Sequence, residues 1–293
     1  MIVLLLAASG FAALSHAQST PAEKMDEEDT FVADAFKAAR SQPPELGWIL
    51  KNGELVTEIN ASQITVLTEK VEPKTAWRSG KISADRVKEF VRKNQADCDQ
   101  LDLEKQVPLY RYRAVLSAGK EVTRVFVASG APIAGMKAGF DEMKLSEAQK
   151  NAVWSALKAA KGQPRLLYSI RQPGSLFTYT FAAIYQKDKA LQRSGIFLLN
   201  DQGKILGQNI EEINGEPRCD GCGILEFGDG INAVYLPLNL ISMPQLPYPI
   251  LLEDSSTVEG RAIDLFTFSR NGRPSSYRKY EYVVTCILGE DQY

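Results

Sequence analysis

The chain has 293 residues and one histidine, His16. That histidine falls in the N-terminal stretch MIVLLLAASGFAALSHAQST. The apolar run there, Ile2 to Leu14, is too short to cross a bilayer as a helix. Ser15-His16-Ala17 follows it with the small-x-small pattern of a signal-peptidase site, so residues 1–17 read as a secretory signal cut after Ala17. The run has no Lys or Arg before it, so either the amino group of Met1 serves alone or the true start lies upstream. Residues 18–293 then contain no imidazole. This excludes Ser-His-Asp and Cys-His nucleophilic catalysis, histidine acid–base chemistry and every His-ligated zinc site. An enzyme of this composition is left with carboxylates, Lys, Tyr or Cys.

Charge of one sign is also lacking. Lys and Arg number 34 against 36 Asp and Glu, a net charge of −2 with no basic stretch to track a phosphate backbone, so nucleic-acid binding is disfavoured. Neither G-x-G-x-x-G, a P-loop nor G-x-S-x-G occurs. The uncharged run from Ile231 to Leu252 has the length of a membrane span. Pro237, Pro244, Pro247 and Pro249 rule that out, because an interior proline removes a helix donor and clashes with the preceding turn at about 3 kcal/mol or more. No membrane span is expected in the mature chain. The run reads instead as an extended, partly polyproline segment. It either packs across a sheet or offers a partner-binding surface through Leu240, Ile241, Met243, Leu246 and Tyr248.

Cysteines number four: Cys98, Cys219, Cys222 and Cys286. Cys219 and Cys222 form a C-x-x-C, but a redox pair normally opens a helix beside cations. Here glycines 223, 228 and 230 oppose a helix, and no Lys or Arg occurs from residue 219 to residue 260. CDGCG resembles the C-x-x-C-G knuckle of zinc ribbons and rubredoxins over five residues, yet the second knuckle those families carry is absent. In an oxidising compartment two structural disulfides among the four cysteines need the least, with zinc and redox roles as the alternatives. Neither a metal nor a cofactor is expected.

What is present is strand and turn. Residues 18–30 are acidic and read as a disordered tether. FVADAFKAAR (Phe31 to Arg40) is a short amphipathic helix that stops before Pro43-Pro44. Ser83 to Asn94 is a second, capped by Ser83. The third is the clearest: Ser146 and Gln149 form a capping box and Gly162 is placed to end it. Hairpins are expected at Asn52-Gly53, Asp201-Gln202-Gly203 and Asn271-Gly272. Between Val107 and Ser129 tyrosines alternate with arginines, which places Tyr110 and Tyr112 inward and Arg111 and Arg113 in solvent. The Gly-rich stretch 130–139 is the best linker. The expected class is α+β: mostly antiparallel sheet with a few amphipathic helices in one or two subdomains, an N-terminal region over 31–135 and a β-rich region over 136–293.

Three further candidates complete the reading. Asn60-Ala61-Ser62 is an N-glycosylation sequon. Asp220, Glu226, Asp229 and Asn232 are oxygen ligands in a Gly-rich loop without EF-hand spacing. Arg261, Arg270, Arg273, Arg278 and Lys279 form a basic set that either balances the acidic tract before it or binds an anion. The expected function is that of a secreted or periplasmic, soluble, non-catalytic binding or structural module whose partner is a protein or an envelope component. The alternative is an enzyme without histidine, either a carboxylate-pair hydrolase or a thiol oxidoreductase using Cys219 and Cys222.

Overall fold

The computed structural model describes residues 31–40, 42–50, 52–68, 73–83, 108–113, 123–185, 191–212, 226–227, 231–232, 236–257 and 260–280. The first helix, α1 (Phe31–Ala39), turns Val32 and Phe36 inward one helical turn apart. Six strands then close on themselves: β1 (Glu45–Ile49), β2 (Glu54–Thr57), β3 (Gln63–Val66), β4 (Lys74–Lys81), β5 (Tyr110–Arg113) and β6 (Thr123–Ser129). Their order is β1-β2-β5-β4-β3-β6, antiparallel throughout, with β6 paired back to β1. Strand alternation sends Ile49, Leu55, Ile64, Val66, Ala76, Tyr112, Val125 and Val127 into the barrel. The Tyr112 hydroxyl donates to the Ile59 carbonyl at 2.6 Å and accepts from the Ala61 N–H at 3.0 Å, which pins the β2–β3 connection across one end.

Two open sheets follow. One runs β12 (Ile205–Glu212), β11 (Leu191–Asn200), β10 (Phe177–Tyr185), β9 (Arg165–Arg171), β8 (Asp141–Glu142). The other runs β18 (Pro274–Tyr280), β17 (Gly260–Phe268), β16 (Ile250–Thr257), β15 (Leu236–Ser242), β7 (Lys137–Ala138). A two-stranded piece pairs β13 (Glu226–Phe227) with β14 (Ile231–Asn232). The three expected hairpins are formed, linking β1 to β2, β11 to β12 and β17 to β18.

These parts stack in layers. The outer face of β1 and β6 (Leu46, Trp48, Phe126, Ala128) meets Ile250, Leu252, Ile263 and Leu265 of the second sheet, with α1 filling the margin. The other face of that sheet (Leu240, Leu251, Phe266, Phe268) meets Ile170, Tyr179, Phe181, Ile196 and Leu198 of the first. The far face of the first sheet (Ala182, Phe197, Leu199) lies under a second helix, α2 (Glu147–Ala156), through Val153 and its cap Leu157. Both faces of the central strands are therefore covered, which is why β10 reads as the almost unbroken apolar run FTYTFAAIY.

The α+β expectation is corrected to a mostly β architecture. Among the described residues there are two helices, of 9 and 10 residues, against a closed barrel and two five-stranded sheets. The helix expected from Ser83 lies, beyond Ser83 itself, outside the described residues. The helix at Ser146 has its capping box but ends at Ala156, well before Gly162. Leu157 must drop into the core there, so Lys158 takes the left-handed turn (φ 55°) that glycine was expected to supply. The expected disulfide staple is not found among the described residues, because Cys98, Cys219, Cys222 and Cys286 all lie outside them. The tether and the signal also lie outside. Among the described residues no helix is long and apolar enough to cross a membrane.

Candidate binding grooves beside the proline turn

The uncharged proline run folds as strand, turn and strand: β15, the turn 243–249, then β16. Pro237 sits where the β15–β16 register shifts, a position that tolerates a missing ladder donor. Asn239 follows it, fully buried and fully used. Its amide donates to the Leu67 carbonyl at 2.8 Å, and its oxygen accepts from Gly139 N–H at 2.8 Å and Leu240 N–H at 2.9 Å. One side chain thus ties barrel, linker and sheet together. Leu240 and Ile241 are inaccessible, Met243 and Leu246 nearly so, and Tyr248 is half-buried. The contact surface expected from these five is corrected accordingly: four of them are core, held there by alternation within β15 and by the turn folding back over both cores.

The turn exposes other atoms. Pro244 and Gln245 are exposed, Pro247 and Tyr248 are half-buried, and Pro249 is anchored. The Tyr179 hydroxyl donates to the Pro249 carbonyl at 2.6 Å and Thr267 donates to it at 3.1 Å. Burial raises the Tyr179 phenol, keeping it a donor. The linker runs alongside through Gly135 (φ +78°), where a Cβ would come within 3.1 Å of the Pro244 ring. Only glycine allows both that conformation and that approach.

A groove of about 410 Å³ opens on one side of this ridge, between the turn and the β9–β10 connection. Phe177 and Tyr248 meet edge to face at 5.0 Å in its floor. Leu176, 61% exposed, stands on its rim, with Pro173, Pro244 and Pro247 completing apolar walls. Polar side chains share the lining: Lys137, Gln172, Ser175 and Ser242. Gln172 donates to the Leu240 carbonyl at 3.2 Å and accepts from Ser242, and Lys137 is the single charged residue on the lining.

A second groove of about 540 Å³ lies on the other side, lined by Gln245, the linker 130–134, Ser62, Ser129 and the end of α1. Its single charge is Arg40, which donates through Nη1 to the Ser129 carbonyl. Its Nε and Nη2 are buried with no acceptor among the described residues, and desolvation lowers its pKa.

The basic set expected to bind an anion is dispersed. Arg270 and Arg273 are exposed at the β17–β18 turn, and the side chains of Arg261 and Lys279 lie outside those described. Arg278 is already engaged: it grips Asp264 in both branches, Nε at 2.7 Å and Nη2 at 2.6 Å. This corrects its place in an anion site, since the carboxylate on the neighbouring strand already occupies the fork. Register extends the row to Glu253 on β16. Glu253 and Asp264 are each 2% exposed. Burial first, then the Asp264 charge, pushes the Glu253 carboxyl well above its ordinary value, against the pull of Arg278. Neither carboxyl lines either groove, so this pair is placed for structure.

Of the loop oxygen ligands, Asp220 and Asp229 lie outside the described residues; Glu226 and Asn232 are register partners whose side chains also lie outside. Among the described residues no three His, Cys, Asp or Glu side chains gather to hold a metal. Asn60 is exposed, its amide oxygen accepting from Arg78. Sequence reasoning missed Leu176, Lys137 and Arg40. The one available signal was an apolar residue inside the turn sequence QPGSLF, where a solvated loop would carry none. No protein-family pattern matches the chain, and neither characterised proteins nor solved structures yield a match.

Proposed function

We propose that this protein is an exported, non-catalytic binding module that holds an extended, apolar segment of a partner protein in the groove beside Leu176. The observation that carries the reading is the composition of that groove. A 61%-exposed leucine faces prolines and a half-buried Tyr248 along one continuous trough. Grooves lined by aromatic side chains are the surfaces that take extended, proline-rich segments. Lys137, the only charge on the walls, asks for one carboxylate on the occupant. The rigid turn, fixed by two hydrogen bonds to the Pro249 carbonyl, loses little freedom on binding. The export reading rests on the N-terminal sequence pattern alone.

Isotope-labelled methyl spectra during titration with short proline- and leucine-rich peptides, each made with one glutamate or its glutamine counterpart, test the reading. The expected result is a shift of the Leu176 and Leu246 methyls, stronger for the glutamate peptide, with the Leu246 shift abolished by Leu176→Asp without change in Tm. Peptides that leave these methyls in place reject it. Intact mass of the protein recovered from the envelope fraction tests export: loss of residues 1–17 is expected, and cytosolic material retaining His16 overturns it.

A further inference from the structure

The barrel is covered on one side by the second sheet, yet its outer surface at β3, β4 and β5 carries an exposed aromatic. Register aligns Gln63, Trp77, Arg113 and Glu54 in one cross-strand row over β3, β4, β5 and β2. Their side chains point away from the barrel, since Ile64, Ala76, Tyr112 and Leu55 beside them point in. Trp77 is 50% exposed at the centre of the row and Arg113 is exposed next to it. Immediately beyond, β4 bulges between Arg78 and Gly80. Strand bulges recur where a surface is re-aimed for contact. The missing side chain at Gly80 leaves room for the Arg111 guanidinium, 3.7 Å from where a Cβ would stand. Arg78 and Lys81 are exposed on the same strand, Arg78 lying over the Tyr110 ring at 5.7 Å. Glu54 is the one carboxylate in the row, and it already faces Arg111 at 3.6 Å and Asn52 at 3.1 Å.

We propose that this face binds an acidic polysaccharide, with a sugar ring stacked on Trp77 and a sugar carboxylate held by Arg113, since Arg111 is already paired with Glu54. A half-exposed indole offers a flat apolar platform with a polar edge. The Arg113 fork beside it matches a carboxylate two bonds at a time, and Gln63 supplies amide donors and acceptors for hydroxyls. The other polyanions fit less well. A nucleic-acid strand needs successive stacking platforms along a basic groove, and this row holds a single one. A bilayer surface needs a broad apolar face, whereas Trp77 stands between Gln63 and Arg113. The inference stands apart from the Leu176 groove, which lies on the turn between β15 and β16.

Titration of the full chain with oligogalacturonate, followed at the Trp77 indole N–H resonance, tests it, with a neutral galactan oligomer as comparison. The expected result is a shift of that resonance by the acidic oligomer, weakened by added salt. Affinity for the neutral oligomer is expected to be lower by about tenfold or more. By titration calorimetry with the same oligomer, Trp77→Ala loses binding while keeping the parent Tm, Trp77→Phe restores most of it, and Arg113→Gln lowers affinity without moving Tm. Three results overturn the inference: no shift of the Trp77 indole, equal binding by Trp77→Ala, or a shift produced only by a DNA oligonucleotide or by phosphatidylglycerol vesicles.

Discussion

The barrel and the stacked sheets hide their backbone and side chains by opposite means. The barrel closes, so it has no free edge and shelters its inner residues alone. Its outer surface meets the second sheet through β1, β2 and β6, whereas Trp77 on β4 and Arg113 on β5 are exposed. The two sheets remain open. Each needs cover on both faces, and they obtain it from the barrel, from each other and from α2. The difference bears on both proposals: the Trp77 row lies on the barrel away from the second sheet, and the Leu176 groove lies at a turn.

The comparison breaks most sharply at the shared layer. Phe126 is fully buried on the outer side of β6, against the second sheet. Phe126→Ala is expected to cost about 3–5 kcal/mol. Because one cluster joins both parts, calorimetry should show a single transition moved down in temperature. Two separated transitions would show that the barrel folds independently of the sheets.

Asn239→Ala acts on the same seam through polar groups. It strands the Leu67 carbonyl and removes an acceptor from Gly139 and Leu240, all buried. Loss of about 2–3 kcal/mol in urea unfolding is expected. A loss below about 0.5 kcal/mol would mean that solvent reaches these groups.

Glu253→Gln sharpens the comparison by pH, since among the described residues the barrel interior holds no buried acid. The folded Glu253 value lies well above its ordinary 4.5, so the folded state binds this proton more tightly than the unfolded state. The stabilisation is complete below pH 4.5 and is lost as pH rises toward the folded value. Glutamine copies the neutral acid at every pH. Equal Tm at pH 4 and a higher Tm for Glu253→Gln at pH 8 are expected, in thermal melts across that window. A parallel pair of curves would show that Glu253 ionises freely.

How much of this was legible depended on whether the signal was local. The three hairpins and the Ser146 capping box are short-range chemistry and can be read directly from the residues. The inward Tyr112 followed from alternation. Barrel closure did not, because it rests on β6 pairing with both β1 and β3, strands far from it in sequence, and β6 is apolar on both faces. The contact residues proposed in the proline run failed for a similar reason. Hydrophobicity marked Leu240 and Ile241, but two covered faces use such residues as core, and the exposed positions were the prolines and the glutamine between them. Trp77 lay in TAWRSG with no periodic partner, since the bulge interrupts the alternation that would have marked its face.

The smallest effect concerns the cover itself. Ser146 accepts from the Gln149 N–H at 3.3 Å, and the Gln149 side chain accepts from the Ser146 N–H at 2.9 Å. The Gln149 amide also reaches the Asn200 carbonyl at the β11–β12 turn, at 3.4 Å. The box therefore fixes both the start of α2 and its seat on the sheet. Ser146→Ala should cost about 1 kcal/mol. Because α2 is the outermost layer, that loss should appear as local opening rather than global unfolding. Faster hydrogen exchange is expected at Lys150 and Leu157, whose amides close the helix turns, with no change at Leu67 or Gly130 on the barrel. If the barrel amides quicken equally, α2 is no separable lid, and the layered account of why the central strands are apolar on both faces must give way to one cooperative unit extending to the outermost helix.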